Sequence, residues 1–163
     1  MDLQKELIAE YDSEAAKTRK MLEAIPADAD FTWKPHAKSM TLGRLAGHVA
    51  ELAGKWAVSV LTTNKLEHTG VSYVIASKAA MLEQFAREVA EAKAALAKFE
   101  SKKWEENWKF VAGAQAWIDD LKYRVWRSCV VNHMIHHRAQ LGVYLRLLNK
   151  PIPGAYGPSA DEH

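Results

Sequence analysis

The sequence predicts an all-α fold, a four-helix bundle whose helices are joined by long connections. Two observations carry this prediction. Apolar residues recur at three- and four-residue spacing in four long segments, which is the period of an amphipathic helix. Eight glycines and five prolines in 163 residues are too few for a loop-rich or disordered chain.

The first two helices begin and end at residues with recognisable start and stop chemistry. The apolar stripe of the first helix runs from Leu3 to Ile25, and Pro26 ends it because proline cannot continue a helix. The second helix is predicted to start near Thr41, whose hydroxyl can accept hydrogen bonds from free backbone N–H groups. Its apolar stripe continues to Val60.

The last two helices are separated by a stretch that breaks the helical pattern. Apolar residues follow a 3.5-residue spacing over 82–99, where the third helix is predicted. Residues 101–117 are interpreted as a loop with a short strand. The fourth helix is predicted to begin near Asp119 and to run to about Asn149, with an irregular tail over 150–163. The long links before helices 2 and 4 are either crossovers or a cover over one end of the bundle.

Length and composition indicate a single cytoplasmic domain over 1–163. The formal net charge is +2 and no run of five like charges occurs, so no nucleic-acid or membrane-surface partner is indicated. The single cysteine, Cys129, excludes a disulfide within the chain and favours a reducing compartment. Neither a signal peptide nor a membrane span is predicted, because the N-terminus is polar and no run of about 18 apolar residues occurs.

Three histidines lie close together in the fourth helix, in the stretch HMIHH that begins at His133. On a helical wheel at about 100° per residue, His133 and His137 fall on the apolar stripe and His136 falls at its edge. Val131 and Ile135 fall on the opposite face, where they are interpreted as a dimer contact or as isolated exposed side chains. Four arginines are assigned to the far side of the helix: Arg124, Arg127, Arg138 and Arg146.

A pair of histidines four residues apart on one helix face can bind one metal ion, and His133 and His137 have this spacing. Helix 2 offers a third ligand in His48. Three imidazoles leave at least one coordination position open, which is typical of a catalytic zinc, and imidazole also suits nickel, iron and copper. The alternative is that these histidines are hydrogen-bonded core residues. No glutamate follows either histidine as in the His-Glu-x-x-His motif, so the base of a metalloprotease is missing.

Four further residues are candidates for the wall of a pocket. Cys129 lies one turn before His133 and either approaches the metal or is a small buried residue. Tyr144 either directs its phenol into the pocket or packs in the core. The loop around Trp33 and the tail around Tyr156 are expected to wall the pocket. The remaining histidines are interpreted as solvated or terminal residues: His36, His68 and His163.

Two stretches carry the pattern of a known family, WKPHAKSMTLGRLAGHVAEL at 33–52 and NHMIHHRAQLGVYLRLLNKPIPGAYGPSADE at 132–162. The second is the more specific, because it joins His-His-Arg-x-Gln-Leu to Tyr-Leu-Arg and then to Pro-Gly-x-Tyr-Gly-Pro-Ser. Together they resemble the DinB-like (damage-inducible) family of metalloenzymes, in the DinB/YfiT-like four-helix bundle superfamily. Ala139 is a small departure, since many relatives have glycine at that position.

The resemblance implies a fold, an assembly and a set of ligands. The fold would be a four-helix bundle in up-down-down-up order, which explains the long links, and the assembly would be a homodimer. The metal triad would be His48, His133 and His137, holding one divalent ion such as zinc, nickel or iron. His136 matches the family's adjacent histidine, which is not a ligand.

The resemblance also implies a class of activity. Some members look like thiol-dependent transferases or isomerases that use bacillithiol, mycothiol or glutathione, and others look like metal-dependent hydrolases. The expected function is a metal-dependent enzyme that activates a low-molecular-weight thiol or water against a small electrophilic substrate. The alternative is a non-catalytic, stress-induced homodimer that binds a metal or a ligand through the same histidines. DNA binding finds no support in the charge balance.

Overall fold

Four long helices make up most of the computed structural model, which describes residues 2–162; the prediction for His163 lies outside this range. Helix α1 covers Leu3–Glu23 and α3 covers Lys78–Ala97. Helix α2 spans 42–62 and is π-helical in its middle part: Leu42–Glu51, Leu52–Trp56 and Ala57–Thr62. Helix α4 spans 122–147 with the same alternation: Lys122–Val125, Trp126–Asn132 and His133–Leu147. No helix within residues 2–162 combines the length and apolarity needed to cross a membrane.

A small sheet accompanies the helices, so the bundle of four helices is confirmed but a purely α-helical fold is not. The strands are β1 (Lys65–Glu67), β2 (Asn107–Ala112) and β3 (Gln115–Leu121), and β2 lies between a parallel β1 and an antiparallel β3. The chain turns between β2 and β3 at Gly113, whose φ of 59° favours glycine. Asp119 pairs with Lys109 across the sheet at 3.0 Å, and α4 therefore begins at Lys122 rather than near Asp119.

Helices α1 and α4 run in the same direction. Glu10 in the first half of α1 pairs with Arg127 near the start of α4. Met21 near the end of α1 lies against Gly142 near the end of α4, so both helices advance together. Helix α3 runs in the opposite direction to α1. Its first residue, Lys78, donates a side-chain hydrogen bond to the carbonyl of Glu23, the last residue of α1, so the start of α3 lies beside the end of α1.

Helices α2 and α3 are also parallel to each other. Gly43 at the start of α2 contacts Ile75, just before α3 begins, and Gly54 further along α2 contacts Glu88 in the middle of α3. With α1 and α4 parallel and α3 opposite to α1, the order is up-down-down-up. Helix α2 packs against both α3 and α4, so α2 lies beside α4 in the bundle.

Three fully buried tryptophans close the end of the bundle where α1 and α4 begin. Trp104 lies in the short 3-10 helix Ser101–Glu105, Trp108 in β2 and Trp126 in α4. Trp104 donates its indole N–H to Gln4 Oε1 at 2.9 Å, and Trp108 donates to a carbonyl of α2 at 3.2 Å. The long link before α4 therefore covers one end of the bundle, which is one of the two roles expected for it.

Two predictions from the uniform wheel of helix 4 are wrong. Arg138, assigned to the far side, is buried, and its guanidinium lies 2.7 Å from Glu14 Oε2. Val131, interpreted as a dimer contact or an isolated exposed side chain, is fully buried inside the bundle, and Ile135 packs against the same cluster of core residues. The wheel fails because part of α4 is π-helical, and because a helix in a bundle buries a face wider than one apolar stripe.

The tail after α4 is irregular, as predicted, and polar contacts fasten it to the bundle. Tyr156 donates a hydrogen bond to Glu14 at 2.7 Å and accepts one from Arg138 at 2.8 Å. Arg146 pairs with Asp161 at 2.6 Å. The buried guanidinium of Arg138 thus links α1, α4 and the tail, and its charge is compensated by Glu14.

Glycines of α2 allow the segment 71–77 to lie directly on this helix. A Cβ atom at Gly47 would lie 2.3 Å from the Tyr73 carbonyl oxygen, and one at Gly43 would lie 2.1 Å from the Ile75 carbonyl oxygen. Ile75 also donates its backbone N–H to the Gly43 carbonyl at 3.1 Å. Because the opposing atoms belong to the backbone, they cannot turn aside, and only glycine permits this approach.

We expect Gly47→Ala to lower the free energy of unfolding by about 1–3 kcal/mol, because the new methyl group would displace the backbone at Tyr73. Gly142→Ala is the matched control in α4, since the nearest atoms to its Cβ would be 3.7 Å away and alanine is the better helix former. Urea unfolding measures both. A Gly47→Ala variant as stable as the wild type would contradict the close approach of segment 71–77.

Candidate metal centre

Two helices position the candidate ligands, α2 with His48 and α4 with His133 and His137. Thr41 caps α2 by accepting a hydrogen bond from the Arg44 N–H at 3.1 Å, which places His48 in the second turn. His133 directly follows the π-helical part of α4, and His137 lies one turn later. The π-helical parts of α2 and α4 pack against each other, and π-helical segments are frequent at functional sites.

The structure brings together the three histidines that the sequence predicted as a group. The ring centroid of His48 lies 5.1 Å from that of His133 and 4.6 Å from that of His137. The rings of His133 and His137 are 4.6 Å apart. One nitrogen of each ring lies within 4.8 Å of one nitrogen in each of the others, so the three could hold one metal ion. His137 is buried, whereas His48 and His133 are half-buried.

Hydrogen bonds within each helix orient two of the rings. His48 Nδ1 is 2.9 Å from Glu51 Oε2, and His137 Nδ1 is 2.7 Å from Gln140 Oε1. Both oxygens are acceptors, so we assign the ring proton to Nδ1 in each case, which leaves a lone pair on Nε2. Acceptors of this kind hold histidine ligands in the tautomer and orientation that a metal ion needs.

The third ring, that of His133, is hydrogen bonded to the Cys129 carbonyl one turn earlier in α4. Its Nε2 lies 2.9 Å from the Nε2 of His137. With the protons on Nδ1, two lone pairs face each other at this distance, and they repel unless a cation is shared between them. A divalent metal ion meets this requirement, because neutral imidazole nitrogen is a common ligand of zinc, nickel and iron.

A proton is a poor substitute for that cation at neutral pH. The pKa of His133 is lowered to about 4, first by burial and then by the neighbouring imidazoles. Burial also lowers the pKa of His137 to about 4, against the opposing effect of its hydrogen bond to Gln140. Both rings are therefore neutral at pH 7, which is the state that binds metal.

Glu51 joins the histidines to the segment that lies on α2. Its Oε2 accepts hydrogen bonds from His48 and from Arg44 (3.1 Å), and its Oε1 accepts the Tyr73 backbone N–H at 2.6 Å. Burial raises the pKa of the Glu51 carboxyl, but these hydrogen bonds outweigh burial and leave the pKa below its ordinary value. The close packing at Gly47 therefore helps to fix His48, because it brings the Tyr73 N–H to Glu51.

A cavity of about 210 Å³ opens beside His48. Helix α2 lines one side of it with Lys55, and the sheet lines the other with Phe110 and Trp117. His68, interpreted from the sequence as a solvated loop residue, is exposed and lines the same cavity. The sequence analysis missed this wall because its only signal was the short strand predicted within 101–117, which says nothing about pairing with β1.

The four other residues predicted for the pocket do not line this cavity, and their role in a functional site stays a prediction. Trp33 packs edge-on against Tyr144 at 5.5 Å, and the Tyr144 hydroxyl donates to a loop carbonyl at 3.0 Å. Tyr156 fastens the tail. Burial raises the pKa of the Cys129 thiol, so this group is not a reactive thiolate at neutral pH.

Comparison with known proteins identifies relatives of the whole chain. A model of the DinB family matches residues 1–163. The structure resembles a DinB-like protein from Bacillus cereus ATCC 10987, with a TM-score of 0.73 and 22% identity over 92% of this chain and 95% of that one. It also resembles a DinB-like protein from Bacillus subtilis, with a TM-score of 0.68 and 14% identity over 97% of this chain and 99% of that one. No curated sequence matches significantly.

We expect the metal-free protein to lose stability as the pH falls from about 6.5 to about 5. In the unfolded chain His133 and His137 take up protons near their ordinary pKa of 6.5, whereas in the folded protein they do so only near 4. Protons therefore bind preferentially to the unfolded state in this interval and favour unfolding. Urea unfolding at several pH values measures the effect.

The control for this experiment is a His133→Gln, His137→Gln variant. Its stability should depend less on pH over the same interval, because the two titrating groups are gone while most carboxyl groups remain ionised in both states. An equal loss of stability in the variant and the wild type would contradict the lowered pKa values of the two histidines.

Proposed function

We propose that this chain, which belongs to the DinB family, is a divalent-metal-dependent enzyme that activates a small thiol or water against a small electrophilic substrate. The observation that carries the proposal is the convergence of three imidazoles, one nitrogen of each lying within 4.8 Å of one nitrogen in each of the others. His48, His133 and His137 would hold the ion. The family membership supports a function of this class.

Three protein ligands are the number found in catalytic rather than structural zinc sites. A divalent ion at this position would keep at least one coordination position for a thiol or water, whose pKa it would lower. The half-buried position of His48 supports this, because His48 lines the cavity and a small molecule can approach it from there. Zinc, nickel and iron all accept imidazole ligands.

The chain's own residues would orient the ligands and keep water away from part of the site. Glu51 and Gln140 accept hydrogen bonds from the Nδ1–H groups of His48 and His137 and so keep the Nε2 lone pairs directed at the centre. Trp56 and Phe110, whose rings are 4.7 Å apart, form an apolar wall of the adjoining cavity. Such a wall limits the access of bulk water to a reacting group.

A thiol nucleophile would have to come from a second small molecule. The chain contains one cysteine, Cys129, and its side chain lies near Ser128 rather than in the cavity beside His48. A cosubstrate thiol would therefore bind from solution. The small-molecule substrate, the cytoplasmic location and the homodimer are parts of the same proposal.

The metal content of the purified protein tests the first step of the proposal. We expect about one zinc, nickel or iron ion per chain. The His133→Ala, His137→Ala double variant should lose the ion while keeping its helical circular-dichroism spectrum. His136→Ala is the matched control, because this exposed neighbour lies outside the group of three. A wild-type protein that takes up no ion after incubation with each metal would contradict the proposal and show that the histidines are core residues rather than metal ligands.

Thiol binding tests the second step. We expect a thiol such as glutathione, at about a hundred times its Kd, to raise the Tm of the metal-loaded protein by at least about 5 °C, because a ligand of the native state stabilises it. The same thiol should leave the Tm of the chelator-treated protein unchanged. S-methylglutathione, which lacks a free thiol, is the control.

Other outcomes of the thiol experiment separate the alternatives. Equal stabilisation with and without metal would contradict thiol activation at the histidines. Metal binding without any thiol effect would leave water as the nucleophile, to be tested with a panel of hydrolysable substrates. Melting of the bundle on chelation, with no turnover in either assay, would support the non-catalytic alternative, because a structural metal contributes directly to folding.

A further inference from the structure

The cavity beside His48 has a basic side formed by α2. Lys55 lies seven residues after His48, about 10 Å further along the helix axis, and lines the same cavity. Its ammonium group has no ion pair or hydrogen bond to any residue that the structure describes. A lysine without a partner at the wall of a cavity is available to a ligand.

The other charged groups of the cavity each have a partner, Arg44 and Glu51 within the wall and Glu67 in Lys65 outside it. Arg44 lies 3.1 Å from Glu51, and Glu67 lies 2.8 Å from Lys65. Lys55 is therefore the one charge in the described wall that a ligand would have to neutralise. One compact ammonium charge matches a monoanion such as a carboxylate, and a charge-assisted hydrogen bond of this type is stronger than a neutral one.

The opposite side of the cavity is aromatic. Phe110 of β2 lies 5.6 Å from Trp117 of β3 and 4.7 Å from Trp56 of α2, measured between ring centroids. His68 lies 5.1 Å from Trp117 and 5.8 Å from Phe110. Trp117 is 53% exposed, although tryptophan is usually well buried, so one face is free for a ligand. Such rings bind flat, apolar groups through stacking and burial.

The size of the cavity limits the ligand to about one ring. A cavity of about 150 Å³ is sufficient for benzene, so the 210 Å³ beside His48 admits a single ring with a short polar substituent. Aromatic walls also bind quaternary ammonium groups, but Lys55 would repel such a cation. The charge therefore selects an anion, and the walls and volume select a flat, apolar body.

From these features we propose that the cavity takes a small carboxylate with an aromatic or other flat apolar body, held by Lys55 at its carboxylate and by Phe110 and Trp117 at its body. As an assignment of substrate class the proposal rests on the proposed function, because it makes this carboxylate the molecule that reacts beside His48. Lys55 is then a binding residue that keeps the carboxylate away from the histidines and directs the remainder of the molecule toward them.

Three single-ring probes of matched size test the proposal: benzoate, benzamide and the benzylammonium ion. Their affinities are measured by isothermal titration calorimetry, with tryptophan fluorescence as a second readout, on the protein as purified and after chelator treatment. We expect benzoate to bind at least about tenfold more tightly than benzamide in both forms, as a charge-assisted hydrogen bond predicts. Benzylammonium should bind more weakly than benzamide.

Variants of Lys55 separate its role from general effects. Lys55→Met keeps the apolar stem and should bring the affinity for benzoate down to that for benzamide, with benzamide unchanged. Lys55→Arg should restore most of the preference. Lys102→Met is the matched control, since this lysine is 80% exposed, pairs with Glu100 and does not line the cavity. Trp117→Ala should weaken benzoate and benzamide by similar factors.

Two results would overturn the proposal. One is benzoate binding no tighter than benzamide. The other is benzoate binding that Lys55→Met leaves unchanged and chelation abolishes, since the carboxylate would then bind only at a metal ion. Failure of the proposed function has a different signature: a protein that takes up no metal, yet still binds benzoate through Lys55, would keep the cavity's ligand class and lose the reaction.

Discussion

The arrangement of α2 and α4 depends on the requirement that three neighbouring imidazoles be satisfied at the same time. A buried polar group without a partner destabilises a fold, so each ring needs an acceptor for its N–H and a donor or cation for its lone pair. The acceptors are local, because Glu51, Gln140 and the Cys129 carbonyl each lie three or four residues from the histidine they contact. The lone pairs lie close enough for one cation to satisfy all three. The contact between α2 and α4 therefore also forms the candidate metal centre.

Local periodicity was sufficient to predict the helices and the pairing of His133 with His137, because a helix places residues four apart on one side regardless of its surroundings. It was not sufficient for Arg138, since the burial of a charged residue depends on a partner in a distant helix, here Glu14. The sheet was not predicted for the same reason. Strand β1 has three residues and pairs with β2 across the whole of α3, and no local pattern encodes that pairing. The cavity wall at Trp117 depends on this pairing, so it was not predicted either.

The helices and the sheet contribute different parts of the site. Helices α2 and α4 hold the histidines rigidly in a packed core, where a change in side-chain volume disturbs the packing. The sheet contributes Phe110 and Trp117 from short strands at the surface, where substitutions are better tolerated. Under the two proposals, the chemistry and the choice of ligand would therefore be carried by separate elements. Lys55 lies at their boundary, on the helix that carries His48 but beside the aromatic wall.

The π-helical part of α4 has a consequence at the level of the gene. A π-helical turn accommodates more residues than an α-helical turn of the same rise, so α4 contains surplus chain between Trp126 and Asn132. We expect loss of one codon there to return the helix to α-geometry and to leave His133 facing His48. Loss of one codon between His133 and His137 would turn the second imidazole by about 100°. Tolerated and damaging deletions therefore lie only a few codons apart, and gaps in alignments of relatives should collect before the first histidine of α4.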